Sequence, residues 1–367
     1  MRKYKWSEKK HLIVFLILIL VIAAGFGGYS IYGLYKINQI PEMTFDEMLA
    51  YTTKGNKDAV ITVGIVDNGN MTYNVYGENG NELAKEEHIY EIGSITKTFT
   101  ASLLCKAVSE GIISLDDSID EYLDLPEKDY YPTIRRLATH TSGYKGYYFE
   151  KPMIANFLHN ENGFNGISEE MLISRLGKIT LDDADYAFNY SNFGMAVLGA
   201  VLEQVYNEDY TKLMNDYISE DLGLANTRIS DGSADLKNYW KWSESDAYMP
   251  AGALLSSITD MMQYASMQIN GIPDYVSAAH EALAEVNTSS SSYEKMGINI
   301  DSIGVGWVID NKNSIIWHNG GTSSYNSYIG FNKEKQIGVV VLSNLPPKYR
   351  IPAAVMGAKL LTSLINE

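Results

Sequence analysis

Segments with strand character stand near both ends of this chain, and segments with helix character fill the middle. AVITVGIVDNGNMTYNVYG, from Ala59 to Gly77, holds two runs rich in β-branched residues split by Asp67-Asn68-Gly69-Asn70, a hairpin signal. Far downstream come GVGWVID, SIIWHNG, SYIGFN and IGVVVLSN, the last from Ile337 to Asn344. Strands so far apart share one sheet only if the chain between them folds back as an inserted region. The order predicts an α/β (α+β) fold: an antiparallel β-sheet flanked by helices, with a mainly helical region inserted at about 115–245. A helix is expected from Ser94 to Glu110, where Ile95, Phe99, Leu103, Ala107 and Val108 fall on helical spacing before Gly111. Others are expected at Asn192–Tyr206, Asp260–Glu285 and Ala353–Ile365, with a polar loop at Asn287–Gly297.

The N-terminus predicts a membrane anchor. Arg2, Lys3, Lys5, Lys9 and Lys10 precede a stretch from His11 to Tyr35 without a formal charge. As a helix it would measure about 37 Å at 1.5 Å per residue, enough for the ~30 Å hydrocarbon core. Basic residues stay on the cytoplasmic side. The expected layout is a cytoplasmic tail at 1–10, one transmembrane helix at 11–35, a juxtamembrane helix or linker at 36–56, and an extracellular domain at 57–366. A cleaved signal peptide, with Ala23-Ala24-Gly25 as its cleavage site, is the alternative. The single cysteine, Cys105, allows no internal disulfide, and its apolar neighbours predict a buried thiol.

A formal net charge of −16 argues against nucleic-acid binding, which needs a basic face. The six histidines include no H-E-x-x-H pair, so neither a metal site nor a cofactor is expected.

Three short motifs carry candidate chemistry. S-x-x-K occurs at Ser7/Lys10, Ser94/Lys97, Ser142/Lys145 and Ser292/Lys295, but only Ser94 stands where a strand-like approach, HIYEIG, meets a long helix. Residues three apart share a helix face, so the Lys97 amine can reach the Ser94 hydroxyl, and the helix N-terminus favours an oxyanion. The plainer reading is an N-cap serine beside a solvated lysine. Tyr190-Ser191-Asn192 lies directly before a helix: the tyrosine could relay protons and the asparagine could hold a carbonyl, or the pair could be a packed ring and a helix cap. His318-Asn319-Gly320 follows an apolar strand, and Gly320 and Gly321 permit close backbone approach to a ligand; the plain alternative is a hairpin turn with an exposed histidine. His140, in ATHTSG, reads as structural.

Together with GIISLDDSIDEYL, TIRRLATHTSGY, DLGLANT, MPAGALLSSITDM and GVGW, these motifs resemble the serine β-lactamase and penicillin-binding protein family, in the branch of class C β-lactamases, DD-peptidases and related esterases. The resemblance covers about residues 45–366. It implies that Ser94 is the acylated nucleophile, that Lys97 helps deprotonate it, that Tyr190 is general base and acid, and that Asn192 binds the substrate amide. His318 takes the place of the K-T-G lysine, and the backbone N–H groups of Ser94 and Gly321 form the oxyanion hole. Asn319 departs from the pattern by supplying no hydroxyl, which weakens carboxylate recognition. The implied function is a serine hydrolase acting on D-amino-acid peptides of the cell wall, esters or amides, with β-lactams as candidate ligands. A non-catalytic receptor for penicillin or wall fragments is the rival, and a structural membrane protein would need Ser94, Tyr190 and His318 to lie far apart.

Overall fold

The computed structural model describes residues 40–159, 161–288 and 291–367. Residues 45–367 form one compact unit; the described part of the preceding unit is a short 3-10 turn, Ile40–Glu42. The span expected at 11–35, its cytoplasmic tail and the alternative cleavage site lie outside the described residues. Among the described residues no helix is long and apolar enough to cross a membrane.

Among the described residues the compact unit holds eleven strands, with helices before, between and after them. The strands are β1 (Ile61–Asp67), β2 (Asn70–Tyr76), β3 (Ile89–Glu91), β4 (Arg228–Ile229), β5 (Leu254–Ser257), β6 (Ala284–Glu285), β7 (Ser302–Ile303), β8 (Val308–Asp310), β9 (Ile315–Gly321), β10 (Asn326–Asn332) and β11 (Ile337–Ser343). The helices include α1 (Phe45–Thr53), α2 (Thr96–Ser109), α3 (Lys151–Leu158), α4 (Asn192–Tyr206), α5 (Ile258–Asn270) and α6 (Ala353–Asn366). Eight strands make one sheet in the order β2-β1-β11-β10-β9-β8-β7-β6, with antiparallel neighbours. The predicted fold class therefore holds for this unit, and the pairing of β1 with β11 joins the two ends of the sequence.

Local chemistry explains the main elements. Asn68 and Gly69 both take positive φ, +48° and +83°, the geometry a two-residue hairpin turn of type I′ requires. β10 is buried along its whole length, and β11 nearly so, because helices cover both sheet faces. On one face, Met262 and Ile269 of α5 lie against Gly64 and Gly338; on the other, Gly357 of α6 lies against Tyr328. Within the stretch expected as a juxtamembrane segment, α1 buries Met48 and Leu49. Arg350 closes its C-terminal end by donating to the carbonyls of Tyr51, Thr52 and Lys54.

Two expectations need correction. The helix predicted over 260–285 stops at Asn270, because Gly271 takes φ +64° and Pro273 cannot continue it; a 3-10 helix, Asp274–His280, and β6 follow. Within the expected loop 287–297, Ser291–Lys295 forms a helical turn. In the 115–245 region the regular elements are helices except for β4, which joins a second sheet of order β3-β5-β4. That small sheet aims the chain at the site: β3 pairs with β5 and runs into the turn that carries Ser94.

α2 is the central helix and is buried almost all round. Its polar residues find partners, since Thr98 donates to the Ile95 carbonyl, and Thr100 and Ser102 bond the hydroxyls of Tyr210 and Tyr217. Cys105 is buried here, as expected, and burial pushes its thiol up to about 12.

Candidate active site

Ser94 occupies a tight 3-10 turn, Gly93–Ile95, between β3 and α2. It is not the helix N-cap, so the plain reading of S-x-x-K fails: Ile95 holds that position and no side chain caps it. Gly93 takes φ +49°, and a Cβ there would lie 2.5 Å from the Gly321 nitrogen. Only glycine lets this turn press so closely on β9.

Lys97 stands one helical turn on, with its side chain fully buried. Its Nζ donates to Ser94 Oγ at 3.0 Å and to the Ala251 carbonyl at 2.6 Å. Burial alone, with no carboxylate contributing, drives its pKa well below the ordinary lysine value. An amine that sheds its proton in this setting has a lone pair within reach of the Ser94 hydroxyl.

Tyr190 comes from the loop before α4. Its ring lies 4.8 Å from Lys97 Nζ. The residue keeps 37% of its surface exposed, while its hydroxyl bonds the Ser94 side chain. Burial raises that hydroxyl above the usual tyrosine range, and a hydrogen bond with the Ser94 side chain works against the rise. The cap of α4 is Ser191, which accepts from Gly194 N–H at 2.8 Å and donates to the Lys145 carbonyl at 2.7 Å. Asn192 is thus free of capping duty and lines a cavity with Ser94 and Gly321.

His140 holds this loop in place. Its Nδ1 accepts from Ser191 N–H at 3.3 Å, its carbonyl accepts from Asn189 N–H at 2.9 Å, and its ring lies 4.7 Å from that of Tyr190. It is buried and uncharged, its pKa held well below the usual histidine value by burial and then by Lys97 and His318.

β9 forms the opposite wall. The plain alternative for this segment, a hairpin turn with an exposed histidine, does not hold: the strand continues through Gly321, and His318 is only 3% exposed. Burial, with Lys97 nearby, pushes His318 down to about 3. The neutral ring has the Asn319 carbonyl 2.7 Å from Nδ1. A carbonyl can only accept, so the proton sits on Nδ1 and Nε2 carries a lone pair. Asn319 points to the exposed side of the strand. Gly320 allows β9 its approach, since a Cβ there would lie 1.8 Å from the Ile92 carbonyl oxygen. Thr322 N–H bonds to the Tyr325 carbonyl, so alternation along the ladder turns Gly321 N–H away from β10, toward the Ser94 turn. Ser94 N–H belongs to a first helical turn, whose amides lack intrahelical acceptors. Ser94 and Gly321 line the same cavity.

The structure brings together Ser94, Lys97, Tyr190, Asn192, His318, Gly320 and Gly321. It adds residues that the motifs did not single out: Ala251, Glu91, and the aromatic cavity walls Phe164, Trp240, Trp242 and Tyr248. Ala251 and Glu91 lie inside MPAGALLSSITDM and HIYEIG, so their segments were visible although their roles were not. Among the described residues no group of three or more histidine, cysteine or acidic side chains is placed to hold a metal ion.

The β-lactamase family model matches residues 50–358. This chain belongs to the β-lactamase family. Among curated β-lactamase relatives, protein flp of Staphylococcus aureus (strain MW2) is 24% identical over 301 residues, covering 76% of this chain and 56% of that protein. The chain thus spans little more than half the length of that relative. Beta-lactamase-like protein 2 of Dictyostelium discoideum is 29% identical over 279 residues, covering 63% of this chain and 48% of its own. Among solved structures, the octameric penicillin-binding protein homologue from Pyrococcus abyssi superimposes with a TM-score of 0.67 at 23% identity, over 88% of this chain and 76% of that one. A β-lactamase/D-alanine carboxypeptidase from Yersinia pestis gives 0.68 at 18% identity, over 88% and 96%. At these identities the likeness is one of fold.

Proposed function

We propose that this chain is a serine hydrolase that forms an acyl-enzyme on Ser94 and prefers uncharged ester or amide donors. The observation that carries the reading is the 3.0 Å contact between Lys97 Nζ and Ser94 Oγ, made by an amine that burial holds far below its ordinary pKa. Lys97 takes the Ser94 proton as Oγ attacks the carbonyl. The N–H groups of Ser94 and Gly321 receive the developing oxyanion. Tyr190 gives its proton to the leaving group while Asn192 binds the substrate amide; water then gives a proton to the Tyr190 oxygen and its hydroxide to the acyl carbon, and Lys97 returns its proton to Ser94 Oγ.

The neutral His318 supports the substrate preference. It stands where relatives carry a lysine for a substrate carboxylate and offers no charge there. Solved neighbours titled β-lactamase/D-alanine carboxypeptidase favour a second reading, in which the donor is a wall peptide ending in D-amino acids. A non-catalytic receptor has no use for an activated lysine. The apolar run at 11–35, with lysines before it, supports a single-pass anchor holding the domain outside the cell membrane.

Full-length protein in detergent, incubated separately with p-nitrophenyl acetate and a penicillin, tests the reading. Ester turnover by wild type and none by Ser94→Ala supports it; turnover retained by Ser94→Ala removes Ser94 from the mechanism. A lasting penicillin adduct without ester turnover turns the assignment toward the peptide reading.

A further inference from the structure

We propose that the acyl group this site accepts is an apolar chain of medium length, lying on an aromatic track from Ser94 to an exposed apolar patch at α3. The inference rests on the serine hydrolase reading and names its substrate class. The cavity at Ser94 is walled by Phe164, Trp240, Trp242 and Tyr248, with no charged side chain among its lining residues. A charged acyl group would lose hydration there and find no opposite charge, with the Asn192 amide as the polar side chain beside Ser94. Phe164 stacks on Tyr248 with centroids 4.5 Å apart and lies 6.3 Å from Tyr147, edge to face. Tyr147 in turn lies 6.4 Å from Phe157 of α3. Tyr248 is buried behind Phe164, so the link runs from Phe164 at the cavity to Tyr147 and Phe157 at the surface.

The track surfaces where large apolar side chains are exposed: Tyr147 at 46%, Phe157 at 51% and Leu158 at 79%, with Phe149 and Ile154 also exposed. A contiguous exposed patch of this kind marks a binding surface. Its continuity with the Ser94 cavity through Tyr147 and Phe164 assigns it to the substrate. A second cavity beside the first is polar, lined by Asn162, Asn165, Asn238 and Ser324 among others, and stands behind Trp240, whose indole N–H donates to Ser323 Oγ at 2.9 Å. The cleft thus separates an apolar branch from a polar one.

The test is kcat/KM of the full-length protein in detergent for p-nitrophenyl acetate, butyrate, octanoate and dodecanoate. Wild type should rise by about tenfold or more from acetate to octanoate, because each methylene laid on the track leaves water. The double variant Phe157→Ser/Leu158→Ser should lower the octanoate-to-acetate ratio by about tenfold, with its thermal melt showing that it folds. Leu158→Ser alone, at the most exposed position, serves if the double variant does not fold, and should lower the ratio by a smaller factor. A flat or falling wild-type series overturns the substrate class. A rising series that the folded variants leave unchanged overturns the track. If wild type turns over none of the esters, acetate included, the preference for uncharged esters fails and the inference falls with it; acetate turnover with a flat series fails the inference alone.

Discussion

Thr322 Oγ1 donates to Glu91 Oε2 at 2.5 Å, joining the end of β9 to the strand that delivers Ser94. The other oxygen, Oε1, accepts from the Trp240 backbone N–H. One buried carboxyl thereby ties three walls of the site: the approach to Ser94, the strand carrying Gly321 and the loop carrying Trp240. Among the described residues no cation balances it, and burial pushes it up to about 7 against the two hydrogen bonds.

Stability should record this carboxyl. Between 4.5, its ordinary value, and about 7 the folded state binds the proton that the unfolded state has lost. Glu91 therefore contributes stability below about pH 4.5 that is lost as pH rises through about 7. The difference corresponds to about 3 kcal/mol. Glu91→Gln should flatten that decline, so that urea denaturation at pH 8 finds it at least as stable as wild type. Glu91→Ala leaves the Trp240 N–H without its acceptor and should lower both stability and kcat.

Lys97 should show the opposite pH signature. Its folded pKa is depressed, so at neutral pH the unfolded state binds more protons and stability climbs with pH toward the ordinary lysine range. Lys97→Met should remove that climb and melt no lower than wild type at pH 7, while kcat falls by about 10²–10⁴-fold. In wild type, kcat/KM should reach its plateau far below the pH at which an ordinary lysine loses its proton. A profile still climbing into the lysine range would remove Lys97 as the base.

Gly320→Ala should be among the most damaging single changes. The added carbon would lie 1.8 Å from the Ile92 carbonyl oxygen, a backbone atom that cannot swing aside. A loss of more than about 3 kcal/mol is expected, with loss of turnover. Gly111→Ala is the control: its φ is +72° but its surroundings are open, so about 1 kcal/mol should go. Chemical denaturation measures both.

His318→Lys should restore charge where the neutral imidazole now stands. Penicillin carries a carboxylate, so its acylation rate should rise by about tenfold relative to that of an uncharged ester. Intact-mass time courses with both donors check this. An unchanged ratio would mean that carboxylate recognition lies elsewhere in the cleft.

Much of the fold was legible in local pattern. The hairpin at 59–77, α4 from Asn192 to Tyr206, and the strands β9, β10 and β11 each announce themselves through turn chemistry or apolar spacing. The misses are short or tertiary. β4, β5, β6 and β7 have two to four residues, too few for a period to show. α5 ended early at Gly271 and Pro273, a stop signal outweighed by the apolar spacing around it. Ser94 and Lys97 could be paired because three residues on a helix fix their proximity.

The sequence by itself determined which residues carry chemistry and in what order along the chain, because spacing on one helix and side-chain type are local properties. Only the tertiary structure decided their states. Lys97 is an ordinary lysine until Ala251, Tyr190 and α2's own burial remove its water. His318 is chargeable until β9 buries it beside Lys97. Glu91 is a strand carboxylate until Thr322 and Trp240 close on it from segments more than a hundred residues away. Desolvation depends on every atom packed around a group, and that neighbourhood exists only once the distant parts of the chain have met.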